Sequence, residues 1–271
     1  MKSSEPDLGV YLIPENSRLV KHYDTSTVWG KELNQANLER VEATLRLVPT
    51  GISNILDLGC GDGAIANPLS DKGFNITGLD ISLSALKHLK GNGIRASSDC
   101  LPFRDKLFEL VICAETLEHL PRGVYDKTLG EVERIASTYI IVTTPNEEYL
   151  PMGHAKCSYC HRIFHTNLHF RSFDTSSHQW LFNQFSLIKT IEINQWAQNP
   201  ILTQINQRLF GIYSYKEGVH CPYCGHIIQK LNPGVLKITL FKAVKRMREL
   251  LPKRTKARWI ASLYRRKDLR S

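Results

Sequence analysis

Long hydrophobic runs are missing from this chain. No segment approaches the roughly 18 apolar residues of a membrane-spanning helix. The opening stretch, MKSSEPDLGVYLIPENSRLV, has no basic start followed by an uninterrupted apolar core, so no export signal is expected. Internal repeats and low-complexity tracts are absent too. These gaps point to a folded, cytosolic protein, and they bear on its seven cysteines. Without export a disulfide framework is disfavoured, so paired cysteines are read first as metal ligands.

The 271 residues, 42% of them hydrophobic, suffice for one large α/β domain or two small ones. Net charge is +9, but residues 237–271 alone carry 13 Lys/Arg against Glu249 and Asp268, leaving a near-neutral body. Such a basic tail suits an anionic partner: a membrane surface, a phosphate-bearing substrate or nucleic acid. Leu236, Leu240, Val244, Met247 and Leu251 recur at helical spacing among its lysines and arginines, which predicts a basic amphipathic helix.

Residues 1–50 read as a helical lead-in or cap, with Leu38, Val41, Leu45 and Leu47 as an apolar stripe. From residue 51 to 146 strands alternate with helices. NILDLGCG, FNITGLD, GIRASSD, LFELVICAE and YIIVTTPN read as strands, and AIANPLSDKG, SLSALKHLKGNG and YDKTLGEVERIAS as helices. Pro68 should shorten the first helix and Ser82 should cap the second. The pattern predicts an α/β fold, a mostly parallel sheet with helices on both faces and ligands at the carboxyl ends of its strands. Residues 147–230, with FSLIKTIEINQW as a sixth strand, are expected to complete the sheet and supply a lid, and 231–271 to form the basic tail.

DLGCGDGA, residues 57–64, satisfies the dinucleotide fingerprint G-x-G-x-x-A, and Asp80 follows Gly59 by 21 residues at the end of the second strand. Taken alone the loop fits any adenosine cofactor. Charge separates the candidates, because Asp57 and Asp62 flank the place a pyrophosphate would take, and like charges repel by kilocalories in a low-dielectric cleft. S-adenosylmethionine (SAM), with its sulfonium and ammonium, fits that field.

Over about Val41 to Asn146 the chain resembles the class I SAM-dependent methyltransferases, especially the type 11 group that includes quinone-biosynthesis enzymes. The resemblance runs through ILDLGCGDG, GLDIS, SSDCLPFRDKLFELVICAETLEHL and VTTPN. It implies a Rossmann-like sheet with SAM as cofactor. Asp57 and the backbone of Gly59, Cys60, Gly61 and Gly63 would hold the methionyl part, and Asp80 the ribose. Ile81 would cover the adenine face, Asp99 and the Cys100 amide would meet the adenine amino edge, and Glu115 and His119 would border the methyl group.

Cys157-x-x-Cys160 and Cys221-x-x-Cys224 supply four thiolates, the number that closes a tetrahedral structural zinc site. Sixty residues separate the pairs, so the fold must bring them together. His161 or His226 could replace one cysteine. Two unrelated pairs of reduced cysteines would give the same spacing. Covalent haem through Cys157, Cys160 and His161 would require export, and neither pair opens a helix after a strand as thiol-redox pairs do. Beyond the first pair, FHTNLHFRSFD presents His165 and His169. With His119 they are candidate general bases for an acceptor hydroxyl, or else hydrogen-bond a loop or join a metal shell.

The expectation is a SAM-dependent methyltransferase with structural zinc, acting on an oxygen or nitrogen of a small-molecule, glycan-linked or lipid-linked acceptor. Trp259, Leu263 and Tyr264 in the tail would suit an anionic membrane face. Nucleic acid is a weaker candidate, since no N-P-P-Y tetrad is present. A non-catalytic SAM-binding protein or a nicotinamide oxidoreductase would also be compatible with the glycine loop by itself.

Overall fold

The computed structural model describes residues 20, 22–24, 29–211, 213–214, 218–228 and 254–268. A seven-stranded sheet runs through it. Its strands are β1 (Asn54–Leu58), β2 (Asn75–Asp80), β3 (Asn92–Arg95), β4 (Phe108–Ala114), β5 (Ala136–Pro145), β8 (Phe185–Gln198) and β9 (Arg254–Arg266), in the order β3-β2-β1-β4-β5-β9-β8. The five strands β3-β2-β1-β4-β5 are parallel to one another, while β9 runs antiparallel to both β5 and β8. A separate two-stranded ribbon pairs β6 (His154–Lys156) with β7 (Ile163–His165).

The apolar alternation of the strands explains why both faces are covered. Leu56 and Leu58, Val111 and Cys113, and Ile140 and Val142 pack in one core, while Ile55, Leu110, Ile112 and Ile141 pack in the other. Successive strand side chains point to opposite faces, so near-continuous apolar runs require cover on both sides. On one side lies α4 (Arg122–Ile135), whose Val132 and Ile135 join the first core. On the other lie α1 (Gln35–Leu45) and α2 (Ala66–Asp71). The lead-in stripe is only partly buried: Val41 and Leu47 are covered, whereas Leu38 is exposed, and Arg40 and Thr44 take inward places. The helix after β2 is a single turn, α3 (Leu83–Leu86), capped by the Ser82 hydroxyl, which accepts from Ala85 N.

The basic tail is where the structure corrects the sequence. Residues 147–230 do not complete the sheet alone, because the strand between β5 and β8 comes from 254–266. Trp259 and Tyr264 are buried rather than facing a membrane. Trp259, Ala261 and Leu263 pack in one core and Tyr264 in the other, a period-2 signal masked by the surrounding arginines and lysines. Arg266 is itself buried, donating to Glu133 O, Ala136 O and Gln184 Oε1 beside the C-terminal end of α4. Lys256 pairs with Glu147. The amphipathic helix expected over 235–251 lies outside the described residues, as do 1–19, and the anionic-surface expectation now rests on that segment. No helix among the described residues is long and apolar enough to cross a membrane.

Candidate active site

A cavity of about 810 Å³ opens at the carboxyl ends of β1, β2 and β4. Its floor is the glycine loop. Gly59 adopts φ +73°, and a Cβ there would lie 2.5 Å from Thr116 Oγ1, which itself donates to Leu58 O. The turn therefore requires glycine both for its backbone and for its closeness to the neighbouring loop. Gly59 N and Cys60 N both donate to Leu79 O, tying the loop to β2. Asp80 closes this end: one carboxylate oxygen accepts from Gly61 N at 2.9 Å and the other from Ser82 N at 2.8 Å. Burial raises the Asp80 carboxyl above its ordinary value, against the pull of these amides. Asp57 lies under the loop. Burial and then the Asp80 charge lift it to about 7, opposed by the Ala66 backbone amide and by Arg40.

The opposite end is built from the segment after β4, the segment after β5 and the loop after β7. Glu115, at φ +53°, turns back under β9, where Trp259 Nε1 donates to its Oε2 at 2.8 Å. Three residues on, Glu118 is fully buried and neither carboxylate oxygen has a hydrogen-bond partner. Burial, followed by the charges of Glu115 and Glu148, holds its carboxyl well above the usual range. His119 is held far below the ordinary imidazole value, first by burial and then by His169 and His165, so it is neutral at pH 7. Phe170 N donates to Glu118 O, which brings the preceding residue, His169, against His119 with ring centroids 4.7 Å apart.

His165 and His169 have different settings. His165 Nδ1 accepts from the amides of Asn167 and His169, so its Nε2 carries the proton and faces Glu148 Oε1 at 3.4 Å. It lies behind the cavity wall. His169 donates through Nδ1 to Glu148 Oε2 at 2.5 Å and lines the cavity. Burial alone would raise Glu148, but the hydrogen bonds from the two histidines outweigh it and bring the carboxyl to about 2.

The four cysteines converge beside this wall. Cys157 Sγ lies 3.6 Å from Cys224 Sγ, and Cys160 Sγ 3.6 Å from Cys221 Sγ. These distances are far too long for disulfides and close to the roughly 3.8 Å edge of a tetrahedron with metal–sulfur bonds of about 2.3 Å. Both pairs form the same turn. Cys157 O accepts from His161 N and Cys221 O from Gly225 N, and the residue after each second cysteine is left-handed, His161 at φ +60° and Gly225 at +77°. The donor set thus fits one tetrahedral ion held by thiolates alone. His161 and His226 are not part of it, and His226 stacks on Tyr159 instead. Ala155, Phe164, Leu168, Val219 and Ile228 form a small core around the cysteines.

Among the residues expected from sequence, Gly59, Cys60, Gly61, Asp80, Ile81, Glu115, His119 and His169 line the cavity. Asp57, Gly63 and His165 sit behind it. Asp99 accepts from the Ser97 hydroxyl and Cys100 is exposed, while Ser97 and Ser98 form that part of the wall. Sequence reasoning missed Glu118 and Glu148, and also Tyr23, Trp29, Arg40, Arg258 and Trp259, which roof the cavity from both chain ends. The run E-T-L-E-H carried a signal for Glu118, since it places two carboxylates and an imidazole just past a strand end.

The strand order, with one antiparallel strand inserted next to the edge, and a glycine loop leading from β1 define a Rossmann-like class I methyltransferase fold. Residues 56–138 match the type 11 methyltransferase domain family. The chain is 39% identical over 124 residues to an uncharacterized protein of Methanocaldococcus jannaschii, spanning 44% of this chain and 52% of that one. It is 34% identical over 126 residues to the ubiquinone biosynthesis O-methyltransferase of Rickettsia typhi, spanning 42% and 50%. The chain thus spans about half the length of the curated relatives it matches. Two solved structures share the fold. The magnesium protoporphyrin IX methyltransferase of Synechocystis, with bound SAM, has TM-score 0.51, 14% identity and coverage of 69% of this chain and 93% of its own. The PH0226 protein of Pyrococcus horikoshii has TM-score 0.52, 19% identity and coverage of 64% and 93%.

Proposed function

We propose that the protein is a SAM-dependent methyltransferase that methylates an oxygen of a small-molecule, glycan-linked or lipid-linked acceptor, with a structural zinc ion in the four-cysteine site. The observation that carries the cofactor is the Asp80 carboxylate on the Gly61 amide. In a dinucleotide site that amide would be offered to a pyrophosphate; here it is already engaged by an anion, with Asp57 beneath and Asp62 beside it. A ligand with a sulfonium and an ammonium relieves this field, and a pyrophosphate would aggravate it.

Transfer needs little chemistry from the protein, because the sulfonium is already a good leaving group. Alignment of acceptor oxygen, methyl carbon and sulfur in a closed cavity supplies most of the acceleration. The acceptor enters from the His119–His169 end, and its proton is lost there. Oxygen is favoured over nitrogen by the O-methyltransferases among the relatives. The zinc ion would pin the segment after β5 to the segment around residue 221 and so keep the histidine loop over the cavity, with no open position for catalysis.

Calorimetric titration with SAM and with NAD tests the cofactor, and tighter NAD binding would overturn the proposal. Incubation with methyl-labelled SAM and cell extract then identifies the acceptor. SAM binding without transfer of label in any extract would leave a binding protein instead of an enzyme.

A further inference from the structure

Glu118, His119 and His169 place one donor atom each within 4.8 Å of one another at the acceptor end of the cavity. We propose that these three residues hold a divalent transition-metal ion, distinct from the zinc of the four cysteines, which binds the oxygen of the methyl acceptor.

Several independent features converge on this point. The Glu118 carboxylate is fully buried with neither oxygen hydrogen-bonded, and its nearest basic group is His119 Nε2 at 4.0 Å. A buried carboxylate without partners is costly, and a coordinated cation removes that cost. His169 spends Nδ1–H on Glu148, leaving Nε2 as the free donor. This is the carboxylate–histidine arrangement that orients metal-binding imidazoles and raises their basicity. His119 Nδ1 lies 3.4 Å from the Tyr23 hydroxyl, which gives the second imidazole its own outer partner, and its Nε2 lies 4.0 Å from Glu118 Oε1. An ion about 2.1 Å from each donor would space them by about 3 to 3.5 Å, so only small inward rotations are needed.

Two imidazoles and a carboxylate suit zinc, iron, cobalt or manganese, and three protein ligands leave positions open towards the cavity. His119 and His169 then serve as ligands rather than as proton acceptors. The acceptor class rests on the methyl-transfer proposal; the metal site does not. A coordinated acceptor hydroxyl loses its proton to solvent more readily, because the ion stabilises the resulting oxyanion. The oxyanion attacks the methyl carbon, the carbon–sulfur bond breaks, and its electron pair remains on sulfur. Acceptors offering a phenolic or vicinal hydroxyl, able to chelate, fit best.

Titration with Co2+ of the full-length protein carrying a single equivalent of zinc, in the four-cysteine site, tests the inference. One equivalent should bind with visible ligand-field absorption and no thiolate-to-cobalt charge-transfer band, since nitrogen and oxygen ligate it. Glu118→Gln and His169→Ala should each weaken Co2+ binding at least tenfold, and Glu148→Gln about 10- to 100-fold through its outer-partner role. Circular dichroism and the retained zinc content establish that each variant is folded, and Glu118→Asp should recover part of the affinity. No binding beyond the four-cysteine site, or binding unaltered in folded Glu118→Gln, would overturn the inference. SAM calorimetry on the same wild-type sample separates the two proposals: SAM binding without Co2+ binding removes only the metal site, and Co2+ binding without SAM binding removes only the methyl-transfer proposal.

Discussion

Trp259 Nε1 donates to Glu115 Oε2 across 2.8 Å, joining two residues 144 positions apart. The bond locks β9 over the end of β4, so the last described strand helps to roof the cavity whose floor is the glycine loop. Arg258 lies over the Trp259 ring at 4.2 Å and Arg40 at 5.7 Å, both on the cavity wall.

Trp259→Phe keeps most of the packing and removes the donor. Because Glu115 Oε1 is already buried without a partner, the variant leaves a wholly unsatisfied carboxyl. Urea denaturation should show a loss of about 1–3 kcal/mol. Stability equal to wild type would mean that the bond contributes nothing.

Asp80→Asn keeps the shape of the side chain and removes its charge. If the carboxylate receives the ribose hydroxyls of SAM, affinity should fall by roughly 10- to 100-fold, the worth of a charged hydrogen bond. Calorimetry at pH 7.5 reads this directly. Unchanged affinity would place the nucleoside elsewhere.

Titration of the thiols with a mercurial reagent should release one zinc per chain in step with four cysteines. Cys224→Ser, at the most exposed of the four, should lower that release while the sheet's circular dichroism persists. Release of no zinc from the wild type would refute the structural ion.

His178 gives a pH signature. It is fully buried, with Nε2 beside the Thr144 hydroxyl at 2.9 Å and Nδ1 beside that of Ser262 at 2.8 Å. Burial lowers it from 6.5 to about 4, against the opposing charge of Asp174. The unfolded chain therefore binds the extra proton first, so the stability this histidine contributes is complete above pH 6.5 and is lost as pH falls towards 4. The loss should reach about 3 kcal/mol. His178→Gln should flatten the wild-type slope between pH 6.5 and 4.5 in urea titrations. Asp57, raised to about 7, acts in the opposite direction, so the difference between the two proteins is the diagnostic quantity.

Of the fold, β1 to β5 and their helices were legible because each is written in a local pattern: apolar runs, a cap at Ser82, glycines where the backbone turns. The glycine-loop end of the cavity was legible for the same reason, with Gly59, Gly61 and Asp80 within one β-α-β unit. The histidine end was not. His165 and His169 look alike in sequence, and only the amides of Asn167 and His169 on one ring and the cavity beside the other distinguish them. Nothing in the sequence around Glu148 marks it out, and only the fold sets it against both.

What the sequence alone determined is the α/β alternation, the acid-flanked glycine loop and two cysteine pairs with the same turn chemistry, all governed by neighbours within a few residues. Tertiary structure decided that 254–266 is an inner strand rather than tail, that the cysteine pairs meet across 60 residues, and that Glu118, His119 and His169 bring one polar atom each within 4.8 Å of one another. Such contacts depend on loop closure and on which buried groups find partners, and neither is encoded in any local stretch of chain.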